Sequence, residues 1–136
     1  MNLVVRDVRA SRAFYARLGL DFVDERDPVW ADHHAWAPQT GGTACDLDLD
    51  STDFVTRWNA GWPGGTGAVI GFRVDSRKAV DEVVDALETE GALVQQRPFD
   101  AFWGARYAVV TDPDGNAVGI MSPVDPAAGA EPPSPA

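Results

Sequence analysis

The sequence is short of the residues on which many kinds of functional site depend. Its 136 residues include one cysteine, Cys45, which excludes an internal disulfide. The only two histidines, His33 and His34, are neighbours, and neighbouring strand residues point to opposite faces, so the two cannot bind one metal ion together. Basic side chains number 11 against 21 acidic ones, which gives a net charge of −10. This acidic balance argues against nucleic acid or an anionic membrane surface as a partner.

Long apolar runs are absent as well. No run approaches the roughly 20 residues that a membrane-spanning helix needs, and no basic-then-apolar leader opens the sequence. With 45% hydrophobic residues, the composition is that of an ordinary globular domain, and the length suits one domain with a real core. We therefore expect a soluble, cytoplasmic protein without a membrane partner.

Strand and helix signals occur twice in the same order. Asp7 can cap a helix whose apolar face is formed by Ala10, Phe14 and Leu18, and Ser76 can cap a second helix. In that second helix the residues sharing one face are Val80, Val83, Val84 and Leu87. Strands are predicted at residues 2–5, 20–25, 29–37 and 43–50 in the first half and at 68–74, 92–98, 106–111 and 116–122 in the second. The order strand, helix, three strands is thus repeated.

This repeat predicts an α+β fold of paired modules whose sheets face one another. The modules cover about residues 1–50 and 68–123, and loop 51–67 joins them into one domain. Each helix should cover one face of its sheet, which leaves the other faces to enclose something. After Pro123 the chain is rich in proline and alanine and almost without large apolar residues, so residues 124–136 are predicted to form a disordered tail.

Three segments carry a resemblance to a known family: "VVRDVRASRAFYARLGLDF", "VDEVVDALETEGALV" and "WGARYAVVTDPDGNAVGIMSP". In this order they resemble the vicinal oxygen chelate superfamily, the group of glyoxalases, bleomycin resistance proteins and extradiol dioxygenases, over about residues 2–123. The resemblance implies two βαβββ modules that form an incomplete barrel around a cavity, usually in a homodimer. It leaves the chemistry open, because the group contains metal enzymes and metal-free binding proteins.

The metal-ligand positions that the resemblance implies are mostly empty in this chain. The first falls just before the sequence begins, the second at Asp46 or Asp48, the third at Val69 and the last at Gly119. Valine and glycine offer no side-chain donor, whereas a catalytic metal needs about three protein ligands. We therefore expect no metal at the usual place and no other cofactor. A divalent metal would be required only if the protein were one of the enzymes.

Strand alternation, together with the aromatic residues of the neighbouring loops, gives the candidate residues of the cavity. The predicted ligand-binding residues are Trp30, His34, Trp36, Asp46, Asp48, Trp62, Phe102, Trp103, Tyr107 and Met121. Their aromatic rings and thioether suit a planar, hydrophobic ligand, and the carboxylates could meet a cationic group on it. Gly119 would leave room for that ligand. Two points stay open: whether His33 or His34 points inward, and whether Tyr107 or Arg106 does. The competing interpretation is that the rings form ordinary core or a dimer interface.

Three functions follow from these observations. The first is a metal-free protein that sequesters a hydrophobic or aromatic small molecule, with antibiotic resistance as one form of this activity. The second is a metal-dependent lyase, isomerase or dioxygenase with a displaced site at His34 and Asp46 or Asp48. The third is a non-catalytic domain that senses a metabolite or only dimerises. A cysteine or serine nucleophile has no support, because no motif surrounds Cys45 and no Gly-x-Ser-x-Gly occurs.

Overall fold

The computed structural model describes residues 1–25, 27–38 and 45–133. It divides into two compact units, the first from residues 1–55 with 63–68 and the second from 56–62 with 69–133. The strands are β1 (Asn2–Val5), β2 (His34–Ala37), β3 (Leu47–Ser51), β4 (Gly67–Arg73), β5 (Val94–Asp100), β6 (Arg106–Thr111) and β7 (Ala117–Met121). The α-helices are α1 (Val8–Ala16) and α2 (Arg77–Thr89), and short 3-10 turns lie at Pro28–Trp30, Val55–Arg57 and Pro126–Ala128.

The first unit is built on a three-stranded sheet. β3 lies in the middle, parallel to β1 and antiparallel to β2. Helix α1 packs on one face of this sheet, where the core is formed by Val8, Ala35, Ala37, Leu47 and Leu49. The predicted cap is confirmed, since the Asp7 carboxylate accepts a hydrogen bond from Ala10 N at 2.9 Å.

The predicted apolar face of α1 is wrong. Phe14 is 60% exposed and Leu18 is 69% exposed, whereas Val8 is buried and Tyr15 packs against the core. The spacing of Ala10, Phe14 and Leu18 defines a real stripe, but this stripe is not the one that meets the sheet. Periodicity identifies a row of apolar residues on a helix but does not show whether that row packs against the sheet.

Two predicted strands of the first unit also need correction. Residues 20–25 run beside β2 but give it a single backbone hydrogen bond, from Val23 N to Trp36 O at 2.9 Å, and so form no strand. The strand predicted at residues 29–37 begins only at His34, because Pro28–Trp30 forms a 3-10 turn capped by the Asp27 carboxylate. The beginning of the strand predicted at 43–50 lies outside the described residues, and β3 itself runs from 47 to 51.

The second unit follows the predicted βαβββ order. Its strands lie in the order β4-β7-β6-β5, with β4 parallel to β7 and the other neighbours antiparallel. Helix α2 begins at its predicted cap Ser76, whose hydroxyl accepts a hydrogen bond from Ala79 N at 3.0 Å. Its predicted apolar face is confirmed: the core on this side is formed by Val80, Val84, Ala108, Val110 and Ile120, with Val83 and Leu87 packed against it.

The hairpin of β6 and β7 fixes the register of this sheet. In its turn, the Asp112 carboxylate accepts hydrogen bonds from Asp114 N and Asn116 N, and Gly115 has a φ of 88°, as the predicted turn chemistry requires. Tyr107 consequently pairs with Met121, and Val109 pairs with Gly119. Since Ala108 and Val110 face α2, Tyr107 lies on the opposite face of the sheet.

These findings confirm an α+β fold, and in neither unit does the described sheet close into a barrel. Among the described residues, no helix combines the length and apolar character that a bilayer crossing demands. Part of the predicted tail has a defined place, because residues 126–128 form a 3-10 turn. The predicted module and tail boundaries otherwise stay predictions.

Candidate functional site

The first unit leaves one face of its sheet without a helix. We call this the polar face; the residues that alternate with the core positions and so form it are Asn2, Val4, His34, Trp36, Asp48 and Asp50. The register places Trp36 opposite Asp48 and His34 opposite Asp50. Three strands therefore bring two carboxylates, an imidazole and an amide together, whereas the core on the opposite face consists of aliphatic side chains and alanine.

His34 lies between the two carboxylates. Its Nε2 is 3.7 Å from Asp48 Oδ1, and its Nδ1 is 4.0 Å from Asp50 Oδ1. Both distances exceed hydrogen-bonding length, and the buried Nδ1 has no hydrogen-bond partner within the part of the chain that the structure describes. Asp50 is 2% exposed and accepts one hydrogen bond from Asn2 Nδ2 at 2.9 Å. Among the described residues, neither Asp48 nor Asp50 forms an ion pair with a lysine or arginine.

Burial dominates the titration of this group. It raises the pKa of Asp50 to about 7, an effect that the hydrogen bond from Asn2 partly opposes and the charge of Asp48 reinforces. Burial likewise raises the pKa of Asp48 to about 6, although the charge of the N-terminal ammonium group partly opposes this rise. It lowers the pKa of His34 to about 4, because neither carboxylate is close enough to offset the cost of burying an imidazolium. Near pH 7 the imidazole is therefore neutral, Asp48 is mostly ionised and Asp50 is partly ionised.

Aromatic rings border the polar face within the same unit. His34 stacks on Phe54 at 6.4 Å between ring centroids, and Trp30 meets Phe54 edge-on at 5.1 Å. Trp36 is 40% exposed on the face itself. His33 is engaged elsewhere, through a 3.0 Å contact between its Nδ1 and Ser51 Oγ. The open choice between the histidines is thus resolved: His34 is the one beside the carboxylates.

Of the five candidates predicted in this unit, His34, Trp36 and Asp48 share the polar face. Trp30 reaches it through Phe54, and Asp46 precedes β3, where its carbonyl oxygen accepts a 2.7 Å hydrogen bond from the amino group of Met1. The prediction missed Asn2, Asp50 and Phe54. Alternation along one strand does place Asp50 on the same face as Asp48, although the predicted set of binding residues does not include it. Alternation could not place Asn2 there, because its role depends on β1 pairing with β3.

The candidates of the second unit pack against one another. Trp103 lies edge-on to Tyr107 at 5.2 Å and donates its indole N–H to Met121 Sδ at 3.3 Å. Phe102 meets Trp103 at 5.1 Å. Two rings outside the predicted set complete the group: Phe99 and Trp58, each about 6 Å from Tyr107. Trp62 is half-buried at the end of a turn that its N–H closes on Asn59 O.

The space expected above Gly119 is filled by this aromatic group. A Cβ on Gly119 would lie 2.5 Å from the hydroxyl of Tyr107 and 3.1 Å from its ring. Tyr107 is itself buried, so a larger residue has no room there. The prediction that Gly119 leaves room for a ligand is therefore wrong in this structure: the chain's own tyrosine occupies the space.

The described residues do not fit a metal ion. No group of three or more His, Cys, Asp or Glu side chains among them is arranged to hold one. Val69 is fully buried hydrocarbon, and Gly119 lies beneath Tyr107. His34 presents different nitrogens to Asp48 and Asp50, so these three side chains do not converge on one point.

A surface depression of about 360 Å³ lies away from the polar face, along α1. It is lined by Arg9, Arg12, Ala13, Ala16 and Ala31. Its two arginines already form ion pairs, with Asp32 and Asp24 respectively. Because its charges are satisfied and its other lining residues are alanines, we place the candidate site on the polar face instead.

Comparison with known proteins gives a family and a fold. The family model described as "Glyoxalase/Bleomycin resistance protein/Dioxygenase superfamily" matches residues 1–120. No curated protein matches the chain. A crystal structure described as an NAD-dependent benzaldehyde dehydrogenase from Legionella pneumophila is similar, with 20% identity, a TM-score of 0.64, and coverage of 89% of this chain and 95% of that one.

Two further solved structures are similar. The Mn(II)-bound glyoxalase from Novosphingobium aromaticivorans shares 26% identity at a TM-score of 0.62, over 89% of this chain and 36% of that one. A glyoxalase/bleomycin resistance protein/dioxygenase superfamily member from Vibrio splendidus shares 15% identity at a TM-score of 0.58, over 90% and 95% of the two chains. At these low sequence identities, the three similarities support the fold of this chain and do not indicate its activity.

Proposed function

Since this chain belongs to the Glyoxalase/Bleomycin resistance protein/Dioxygenase superfamily, we propose that it is a metal-free binding protein for a hydrophobic or aromatic small molecule. The superfamily includes proteins of this kind beside its metal enzymes, so membership alone does not decide the chemistry. The polar face of the first unit is the proposed binding surface. Carboxylates on it would select ligands that carry a positive charge.

One observation carries this proposal: two desolvated carboxylates lie side by side with no lysine or arginine partner among the described residues. Burying a carboxylate without a countercharge is costly, and such costs are found mainly at functional sites. The N-terminal ammonium group partly opposes the rise in the pKa of Asp48, but among the described residues it forms no ion pair with that carboxylate. A protonated amine on a ligand would supply a direct partner. Asp48 is the better placed carboxylate, because its side chain keeps 28% of its exposure whereas that of Asp50 is almost fully buried.

The rings around the polar face supply the apolar part of the proposed site. Trp36 presents an exposed indole beside Asp48, its partner across the strands. An indole face attracts both planar apolar groups and cations. We therefore propose a planar, cationic compound as the preferred ligand, which is a chemistry found among antibiotics. On this proposal the protein would act by sequestration, which needs affinity and no reaction.

A ligand titration tests the proposal. Proflavine, a planar cation, and acridone, a neutral planar analogue, are titrated at pH 8 and followed by calorimetry. We expect proflavine to bind more tightly, and Asp48→Asn to weaken proflavine by about tenfold or more while leaving acridone unchanged, because a hydrogen-bonded charge is lost. Asp32→Asn is the matched control, since Asp32 is an exposed carboxylate paired with Arg9. Equal weakening of both ligands by Asp48→Asn, or failure of both to bind, contradicts the proposal.

The alternative is a lyase, isomerase or dioxygenase that uses a divalent metal. The observation in its favour is the 3.7 Å between His34 Nε2 and Asp48 Oδ1, a separation that two ligands of one ion can have. Metal content of protein purified without chelators or affinity metal, with and without added Fe(II), Mn(II), Zn(II) and Ni(II), separates the two functions. Stoichiometric metal that His34→Ala removes would favour the enzyme.

The proposal also includes a homodimer in the cytoplasm without nucleic-acid partners. The net charge of −10 and the exposed, unpaired thiol of Cys45 support the last two points. Light scattering across a dilution series tests the dimer.

A further inference from the structure

The segment that follows β7 contains a defined turn. Asp125 caps the 3-10 turn Pro126–Ala128 by accepting a 3.0 Å hydrogen bond from Ala127 N on its carboxylate. Gly129 ends the turn in an extended conformation, with φ −69° and ψ 152°. Composition alone predicts disorder here, so the order must come from contacts with the rest of the second unit.

Those contacts are backbone hydrogen bonds to the loop between β5 and β6. Asp125 N donates to Gly104 O at 2.9 Å, and Ala130 N donates to Phe102 O at 2.9 Å. Gly104 permits this close approach: its φ is 94°, and a Cβ there would clash with the carbonyl oxygen of Asp125. The two segments are thus bound to one another at both ends of the turn.

The same loop positions Trp103. It is closed by hydrogen bonds from Ala101 N to Ala105 O and from Gly104 N to Ala101 O. From this loop the Trp103 ring reaches over to Tyr107 and Met121. Whatever holds the loop therefore also holds the ring that covers these two side chains.

We propose that residues 125–130 act as a clasp that keeps this aromatic loop closed, and that releasing the clasp exposes Tyr107 and Met121 to a planar apolar ligand. The inference goes beyond the proposed function, since it concerns the second unit and a surface that the closed loop covers. The clasp contributes two backbone hydrogen bonds. Loss of either should therefore shift the loop toward an open state without unfolding the sheet beneath it.

A second anchor of the loop must be separated from the clasp. Arg77 of helix α2 donates from Nη1 to Gly104 O at 3.3 Å and forms an ion pair with Asp100. Arg106 binds Asp100 as well and bridges to Asp81. These side chains hold the loop from the helix side, so a test must compare them with the clasp.

Ala130→Pro in the full chain breaks the clasp at one point, because proline has no N–H to donate to Phe102 O. The extended Gly129 already has a conformation suited to precede proline. Glu131→Pro is the matched control, as it places a proline one residue later. We expect the amide protons of Ala101 and Gly104 to exchange about fivefold faster in Ala130→Pro, while exchange in β7 is unchanged. We also expect the neutral dye Nile red to bind Ala130→Pro and not the wild type or Glu131→Pro.

Three results would overturn the inference. Unchanged exchange at Ala101 and Gly104, beside faster exchange of the Asp125 amide, would mean that the clasp opens without effect on the loop. Faster amide exchange of the loop in Arg77→Ala but not in Ala130→Pro would mean that contacts from helix α2, and not the clasp, keep the loop closed. Faster exchange without dye binding would mean that no ligand surface lies beneath Trp103.

Discussion

The two units share a layout and differ in the chemistry of the face that their helices leave free. In the first unit this face holds the polar group of His34, Asp48 and Asp50, whose carboxylates lack a lysine or arginine partner among the described residues. In the second unit the corresponding face is covered by rings, with Tyr107 packed between Trp58 and Trp103. The helix-covered faces, by contrast, are both aliphatic.

This difference separates stability from function. Aromatic rings packed edge to face add to the core and leave little unsatisfied. Desolvated carboxylates beside a neutral imidazole destabilise the folded state. Proteins retain such groups mainly at functional sites. The comparison therefore assigns the proposed binding role to the first unit and a mainly structural role to the rings of the second while the loop is closed.

Truncating one ring in each unit gives the largest expected contrast. Tyr107→Ala should lower the free energy of unfolding by about 3–5 kcal/mol, because it empties a packed aromatic site. Trp36→Ala should cost less than about 1 kcal/mol, because the indole is 40% exposed, yet it should weaken proflavine binding. Chemical denaturation and the ligand titration measure the two effects. If Trp36→Ala proves the more destabilising substitution, Trp36 is a core residue and the contrast between the faces fails.

Asp50→Asn tests how much stability the buried carboxyl group of the polar face costs when it ionises, because that loss depends on pH. Because burial raises the pKa of Asp50 to about 7, the folded state holds this proton more tightly than the unfolded state, so the carboxyl contributes stability below about pH 4 that is lost as pH rises toward 7. The amide variant should match the wild type near pH 4 and exceed it by up to about 4 kcal/mol at pH 8. His34 and Asp48 titrate in both proteins and largely cancel in the difference.

Denaturation at pH 4, 6 and 8 measures this difference. A constant offset between the two proteins would mean that Asp50 is ionised throughout, and the missing countercharge would then have to be sought nearby. Asp32→Asn, at an exposed carboxylate whose pKa Arg9 lowers, is the control and should show no comparable gain at high pH.

Local chemistry made much of the fold predictable. The caps at Asp7 and Ser76 and the turn at Asp112 depend on hydrogen bonds within a few residues, and all three are present. The apolar stripe of α2 was also sufficient, because it is the only apolar row on that helix. On α1 two rows compete, and the sequence does not show that Val8 and Tyr15 rather than Phe14 and Leu18 meet the sheet.

The site was less predictable because it depends on partners distant in sequence. Alternation placed His34, Trp36 and Asp48 on one face, but only the pairing of β1 with β3 brings Asn2 to Asp50. The 3-10 turn at residues 126–128 was not predicted for the same reason, since the backbone hydrogen bonds that hold it, to Phe102 and Gly104, cannot be inferred from composition. Gly119 was interpreted as empty space because the orientation of Tyr107 depended on an unknown register.

Gly119→Ala tests that last point and should give the smallest of the three contrasts between a variant and its matched control or partner. Its Cβ would press on the buried Tyr107 ring, so we expect a loss of about 1–3 kcal/mol of unfolding free energy. Gly71→Ala is the matched control, because Gly71 pairs with Gly119 across the strands and has open space where its Cβ would lie. Tyr107→Phe removes the atom nearest to the new methyl group and should recover part of the loss in the double variant. Equal stability of the two alanine variants would show that Tyr107 can leave Gly119, and the space above it would again be open to a ligand.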